Sequence, residues 1–343
     1  MTENTIEISV NGKWTKVPAL QAGGKTILVR GSAVKLATIH DEDWAETALE
    51  DPEQCVHQLK QQKSGWRADL FTFAQKLPAT QPKYAYPMEW DSIAVARTSN
   101  FKTWWESLPQ ETRKNVRRSQ KRGVVVSVRP FGDEVIRDLV ELNNESPMRQ
   151  GRPNNHYGKT FEQVKKDYSS FLDRSDLICA YVGEEMVGLV KIVYRGEIAS
   201  VLQCLAKGSH YDKRPSNAML AKAVELCEAR GIAQLTYGFF HHGNKRDNPL
   251  LEFKIRNGFE EVLVPRYYVP LTAWGSLARG LNLHRGMLGI LPHSVIAFGV
   301  SARSRWYNFK QSKRRCSSIA ERPNCDRQTE RSNPPAGSNL QDV

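Results

Sequence analysis

Residues 201–270 read VLQCLAKGSHYDKRPSNAMLAKAVELCEARGIAQLTYGFFHHGNKRDNPLLEFKIRNGFEEVLVPRYYVP. Their pattern is strand, loop, helix, strand, loop, helix, strand. The first helix is the clearest in the chain. Pro215 suits a first helical position, where a missing N–H costs nothing. Ala218, Leu220, Ala221, Val224, Leu226 and Cys227 repeat at three-and-four spacing, and Gly231 follows as a stop signal. The apolar run 232–237 then predicts a strand ending at Gly238. A second helix over 249–256 closes at Asn257-Gly258, ahead of a strand at 261–263.

Working outward, 124–128 predicts a strand, 134–143 a helix and 160–172 another helix. The runs 176–182, 186–194 and 198–205 form a meander of three strands joined by Gly183-Glu184-Glu185 and Arg195-Gly196-Glu197. Before them lies an amino-terminal unit of residues 1–95. It has strand patterns at 6–10, 13–17, 26–30, 69–73 and 92–96, a hairpin turn at Asn11-Gly12, and one helix over 53–61. The fold class is therefore mixed α/β. The expected division is 1–95, 96–272, an apolar and basic extension over 273–309, and a polar tail over 310–343.

The 343 residues carry a formal net charge of +12, of which 302–343 supply +5 from nine Lys/Arg and four Asp/Glu. The excess favours an anionic partner such as RNA, a phosphorylated cofactor or an acidic lipid surface; a basic surface kept for solubility is the alternative. No run of 18 apolar residues predicts a membrane span. The start lacks a basic and apolar leader pattern, which points to the cytoplasm. Six scattered cysteines without a C-x-x-C pair give the same expectation and argue against a zinc site. The extension 273–309 mixes Trp, Leu and Arg and either lies peripherally in a membrane interface or packs on the core.

The helix expected over 110–121 holds Arg113, Lys114, Arg117, Arg118 and Lys121 against one acid, Glu111. Arg113, Arg117 and Lys121 share a face. They read as a cradle for phosphates of RNA or a nucleotide carrier, or as a solvated basic face over apolar neighbours. The loop 144–158 is long and polar, so Glu145, Arg149, Arg152 and His156 are candidate substrate contacts, unless it is a solvated crossover. Tyr211 follows a central strand beside Asp212, which either faces reactants or caps the next helix. Tyr237, at a strand end, either donates a proton or packs with Phe239 and Phe240. His241 and His242 are adjacent, so both cannot face one pocket. No cysteine or carboxylate set surrounds them at metal spacing, and no G-x-S-x-G elbow appears.

The strand–loop–helix at Arg214 and the run NPLLEFKIRNGF at 248–259 resemble the second half of a GNAT-superfold acyltransferase. Phe253-Lys254 ahead of Gly258 is similar to the FemAB-like group, as is the basic helix followed by Gly123-Val124-Val125-Val126. The resemblance covers roughly 95–270 and implies a GNAT-like acyl-CoA N-acyltransferase fold with a smaller amino-terminal lobe. It implies an N-acyltransferase moving an acyl or aminoacyl group from acyl-CoA, a similar thioester or aminoacyl-tRNA to an amine, with no metal. Lys254 stands where CoA-using relatives carry Tyr, and would hold a phosphate or stabilise an oxyanion. The phosphate-binding pattern falls on Arg214, Asn217 and Met219, with Ser216 between. Arginine matches, but both small positions are filled, which puts ordinary acetyl-CoA use in doubt. The rival from another class is a non-catalytic module of the same fold that binds nucleic acid or an anionic membrane.

Overall fold

The computed structural model describes residues 4–285 apart from 11, 45–46, 63–66, 150–151 and 242–248. Strands β1 (Asn4–Val10) and β2 (Lys13–Ala22) form the expected hairpin, with Gly12 at the positive φ of 79° that its turn needs. β3 (Lys25–Arg30) continues the meander, and β4 (Leu36–Ile39), which has no clear strand pattern in the sequence, follows it. Helix α1 (Pro52–Lys60) starts on Pro52 and is capped by the Asp51 carboxylate, which accepts from the Gln54 N–H; Cys55, Val56 and Leu59 form its buried face. β5 (Leu70–Ala74) and β6 (Met88–Arg97) complete the amino-terminal third.

Next come α2 (Phe101–Ser107), the basic α3 (Gln110–Lys121), β7 (Val124–Arg129) and α4 (Asp133–Asn143). The loop 144–158 carries a two-residue ladder of β8 (Met148–Arg149) and β9 (Arg152–Pro153). Helix α5 (Phe161–Tyr168) opens with a Thr160–Gln163 capping box. It ends four residues sooner than its apolar pattern predicts, because Phe171 turns left-handed at φ 56°. The meander is β10 (Ser175–Val182), β11 (Glu185–Arg195) and β12 (Ile198–Ala206). Then follow α6 (Pro215–Ala229), β13 (Gln234–Phe239), α7 (Pro249–Arg256), β14 (Glu260–Pro270) and α8 (Ala273–Gly280).

Twelve of these strands make one mixed sheet in the order β1-β2-β3-β4-β5-β14-β6-β13-β12-β11-β10-β7. Its central strand is the surprise. β6 lies between β13 and β14, antiparallel to both, so the boundary expected at 95/96 falls inside a strand at the heart of the sheet. The final strand is also longer than 261–263: β14 passes through Pro265, pairing β6 on one side and β5 on the other. Helix α6 buries Ala218, Met219, Leu220, Ala221, Val224 and Cys227 on one sheet face, together with Ile178, Val190 and Ile192. On the other face, α4 and α5 pack on Leu177, Cys179, Leu189 and Leu205. A separate cluster under α1 joins Phe71 and Phe73 to Tyr267 and Val269 of β14.

Trp274 in α8 donates its indole N–H to the Ala33 carbonyl at 2.9 Å, tying the start of the extension to the first meander. Among the described residues no helix is long and apolar enough to cross a membrane. Most of the 273–309 extension and all of the 310–343 tail lie outside the described residues.

Candidate active site

β12 and β13 run parallel but pair only at Ile198–Gln234, Ala199–Leu235 and Ser200–Thr236. Beyond that point both continue, and they part. Three local features drive the parting. The Thr236 hydroxyl pins the last pair by donating to Ser200 Oγ at 2.8 Å. A register shift against β11 falls at Lys191/Ile192, opposite Leu202. In β13, Gly238 adopts φ 58°, and the ladder to β6 slips between Thr236 and Phe239. The outcome is a wedge-shaped gap between two strands, where backbone groups are released from the ladder.

Tyr237 is the first residue past the split. Its phenol and the Cys204 thiol of β12 act on one another electrostatically, and Ser216 at the start of α6 acts on the same thiol. Burial, then the neighbouring Cys204, raises the Tyr237 phenol well above its ordinary value, so it keeps its proton. Burial likewise raises the Cys204 thiol. The Arg149 guanidinium acts electrostatically on both and donates to the Ala206 carbonyl at 2.9 Å.

Lys254 projects from α7 toward the same wedge and is only 1% exposed. Its ammonium donates to the Phe239 carbonyl at 2.6 Å and sits 4.9 Å from the centre of the Tyr237 ring. Burial lowers its pKa from 10.5 to about 8. This corrects one expectation: a side chain so enclosed does not reach out to a carrier phosphate. An oxyanion forming within the wedge remains within its chemistry. The turn after it is built tightly. Asn257 accepts from the Asn217 amide at 2.9 Å and donates to the Phe253 carbonyl at 2.7 Å. Gly258 lies at φ 79°, and a Cβ there would meet Trp104 Nε1 at 2.8 Å. That explains the Asn257-Gly258 stop.

The loop into α6 is filled by its own chain. Glu145 accepts from the Gly208 N–H at 2.7 Å and from the Ser209 N–H and hydroxyl at 2.8 and 2.7 Å. Burial opposes ionisation, yet these bonds hold the carboxyl below its ordinary range. Glu145 therefore anchors the loop into α6. Arg214 sits at φ 57° before Pro215, and no side chain caps α6. Asp212 does not cap it either, because its carboxylate pairs with Arg122 at 2.8 Å. Asn217 is buried, and Met219 packs so closely that a Cβ on Gly188 would meet its Cε at 2.7 Å. Asn217 thus holds the turn after α7, and Met219 serves packing.

α3 packs on α6, with Val116 in the shared apolar cluster, and Thr112 donates to the Arg256 carbonyl of α7 at 2.8 Å. Arg117 lies over the Trp105 ring at 5.7 Å, at a groove of about 600 Å³, while Lys121 is exposed and Arg113 half-buried. His156 faces Gln203 of β12, with its Nε2 3.3 Å from the amide nitrogen. Tyr211 is exposed, and His241, also exposed, faces Glu261 at 3.6 Å. The Arg152 side chain and residues 242–248 lie outside the described residues. The wedge thus gathers Tyr237, Lys254, Ser216, Asn217 and Arg149, whereas Tyr211, His241 and the face of α3 lie apart from those contacts. Cys204 and Asn257 were not singled out in the sequence; within apolar strand and turn patterns neither carries a local signal of a parted ladder.

No family model matches the chain, and no curated protein matches it in sequence. Its fold is shared with solved structures. FemX superimposes with a TM-score of 0.54 at 11% identity, over 81% of this chain and 90% of FemX. L-PGS from Bacillus licheniformis gives 0.51 at 14% identity, over 80% of this chain and 89% of that one. The chain shares its mixed α/β fold with FemX and with this L-PGS structure. At these identities the likeness concerns fold.

Proposed function

We propose that the chain is an N-acyltransferase that moves an acyl or aminoacyl group directly from a phosphate-bearing carrier to an amine within the β12–β13 wedge. The observation that carries this is the pairing of the buried Lys254 ammonium with the proton-holding Tyr237 phenol at the parting strands. Acyl transfer to an amine develops negative charge on the carbonyl oxygen and needs a proton at the leaving group. Lys254 would stabilise the first, and Tyr237 would supply the second. Arg214, Ser216 and Asn217 lie at the carrier's entry, and Arg113, Arg117 and Lys121 offer charge to a longer phosphate backbone. Arg149, Arg152 and His156 would border the acceptor, with Tyr211 and His241 nearer solvent.

Two carriers fit this reading, an acyl-CoA thioester and an aminoacyl-tRNA. The filled α6 entrance favours the second. Glu145 already occupies the Gly208 and Ser209 N–H groups, and Pro215 has none to offer a pyrophosphate. The test offers radiolabelled aminoacyl-tRNA and acyl-CoA separately with a mixture of small amines. Product from charged tRNA supports the favoured carrier, and product from CoA alone reverses that choice. No product from either leaves the fold serving as a binding module.

A further inference from the structure

Helix α8 (Ala273–Gly280) is turned inside out. Its buried positions are Gly275 and Ala278, on the side packed against β14 and β5. Gly275 comes so near the start of β5 that a Cβ there would collide with the Asp69 carbonyl oxygen. The helix is also held at both ends. Thr272 accepts from the Gly275 N–H at 2.9 Å and donates to the Asp69 carboxylate at 3.0 Å. Beyond its last turn, His284 and Arg285 reach Glu89 of β6 at 2.8 and 2.9 Å.

The large apolar side chains are left outside. Trp274, Leu277 and Leu281 are 42%, 53% and 55% exposed, and their spacing of three and four puts them on one side of the helix. The Trp274 indole N–H is taken by the Ala33 carbonyl, so what its ring shows to solvent is apolar. A surface helix ordinarily turns its leucines inward and its small or polar residues outward. The reverse pattern, on a helix fixed to the sheet, makes a raised apolar ridge of the kind that marks a contact surface. Charge indicates what the ridge meets. The sequence over 262–320 holds nine Lys/Arg and not one Asp or Glu, and 286–302 within it carry no charged residue at all. A second copy of the chain would bring the same positive charge to the contact and be repelled. An anionic bilayer offers both an apolar interior and negative headgroups.

We propose that α8 docks the chain on an anionic lipid bilayer, with Trp274, Leu277 and Leu281 entering the boundary between headgroups and acyl chains. The chain's positive charge draws the two surfaces together, and the ridge fixes which side of the molecule faces the lipid. Because α8 and the residues after it are tied to β5, β6 and β14, docking holds the whole sheet at a set angle to the membrane. The proposal concerns where the chain acts and is independent of the transfer reading.

The test is co-sedimentation of the full chain with vesicles of phosphatidylcholine, alone or with about one third phosphatidylglycerol, at low salt. The chain should bind the mixed vesicles, and bind the neutral ones at least about tenfold less tightly. Leu277→Gln together with Leu281→Gln should weaken mixed-vesicle binding about tenfold, and Ser276→Glu, which sets a carboxylate beside Leu277, about fivefold. Leu263→Gln, at a comparably exposed leucine outside α8, should leave it unchanged. Unfolding midpoints establish that each variant folds. No binding to mixed vesicles, equal binding to both kinds, or binding that neither α8 variant weakens overturns the proposal. A dimer that forms without vesicles and breaks in the double variant puts a second copy on the ridge, and overturns it as well.

Discussion

Lys191 and Lys254 are each 1% exposed, and burial lowers each from 10.5 to about 8. Both ammonium groups donate to backbone carbonyls. Lys191, in the middle of β11, bonds Tyr168 at 2.7 Å and Ser170 at 2.5 Å. Tyr168 is the last residue of α5, so Lys191 satisfies carbonyls that a helix end leaves open, where the helix dipole also favours a cation. Lys254 bonds a carbonyl of β13 beyond the point where that strand parts from β12, and an aromatic ring with a retained phenol proton lies beside it. Equal burial and equal shifts therefore accompany different surroundings. The first ammonium closes a helix, and the second lies where β12 and β13 part. A perturbed lysine identifies a site only when the surrounding backbone leaves room for a reacting group.

The largest expected effect separates the two directly. Lys254→Met should lower the transfer rate by about 10²–10³, the usual cost of removing one oxyanion donor. Lys191→Met should leave the rate of the folded fraction within about threefold. Equal losses in steady-state assays of folded protein would break the comparison.

Stability gives a second comparison. Lys191→Met leaves the Tyr168 and Ser170 carbonyls without their donor and should cost about 1–3 kcal/mol in denaturant unfolding. Lys254→Met removes the donor to the Phe239 carbonyl and should cost no more than that. A larger loss at Lys254 would show that it is mainly a structural contact.

A subtler test uses pH. Between about pH 8 and 10 the folded chain releases protons from both lysines while the unfolded chain, with values near 10.5, retains them. The unfolded state then binds more protons, so stability rises with pH across this window. Lys191→Met should flatten the rise. If the proposed transfer uses the Lys254 ammonium, it should fall over the same window with an apparent pKa of about 8. Activity falling while stability climbs would sharpen the contrast; a parallel rise in both would remove the catalytic assignment.

Much of the carboxy-terminal half was legible because its signals are local. Pro215, the α6 stripe and Gly231 mark a helix in any context, and the strand alternation over 176–205 survives into β10–β12. Phe253-Lys254 ahead of Gly258 draws attention to Lys254, but no local signal shows its enclosure. What escaped depends on distant partners. Nothing in residues 88–97 announces that β6 will lie between β13 and β14. Nothing around Cys204 shows that its strand will part from β13, since the parting arises from a shift opposite Leu202 and a left-handed Gly238. Glu145 looked like a free carboxylate because the N–H groups it takes lie 63 and 64 residues away.

The central claim is that a donor's reacting carbonyl comes to the Lys254 ammonium. Nuclear magnetic resonance on protein labelled at the lysine side-chain nitrogens reads this directly, with Lys254→Met and Lys191→Met assigning the two buried signals. On adding a stable amide analogue of an aminoacyl-adenosine, or an acyl-CoA, the Lys254 resonance should move while that of Lys191 stays fixed. A saturating analogue that leaves Lys254 unmoved, or shifts both lysines alike, would contradict the account.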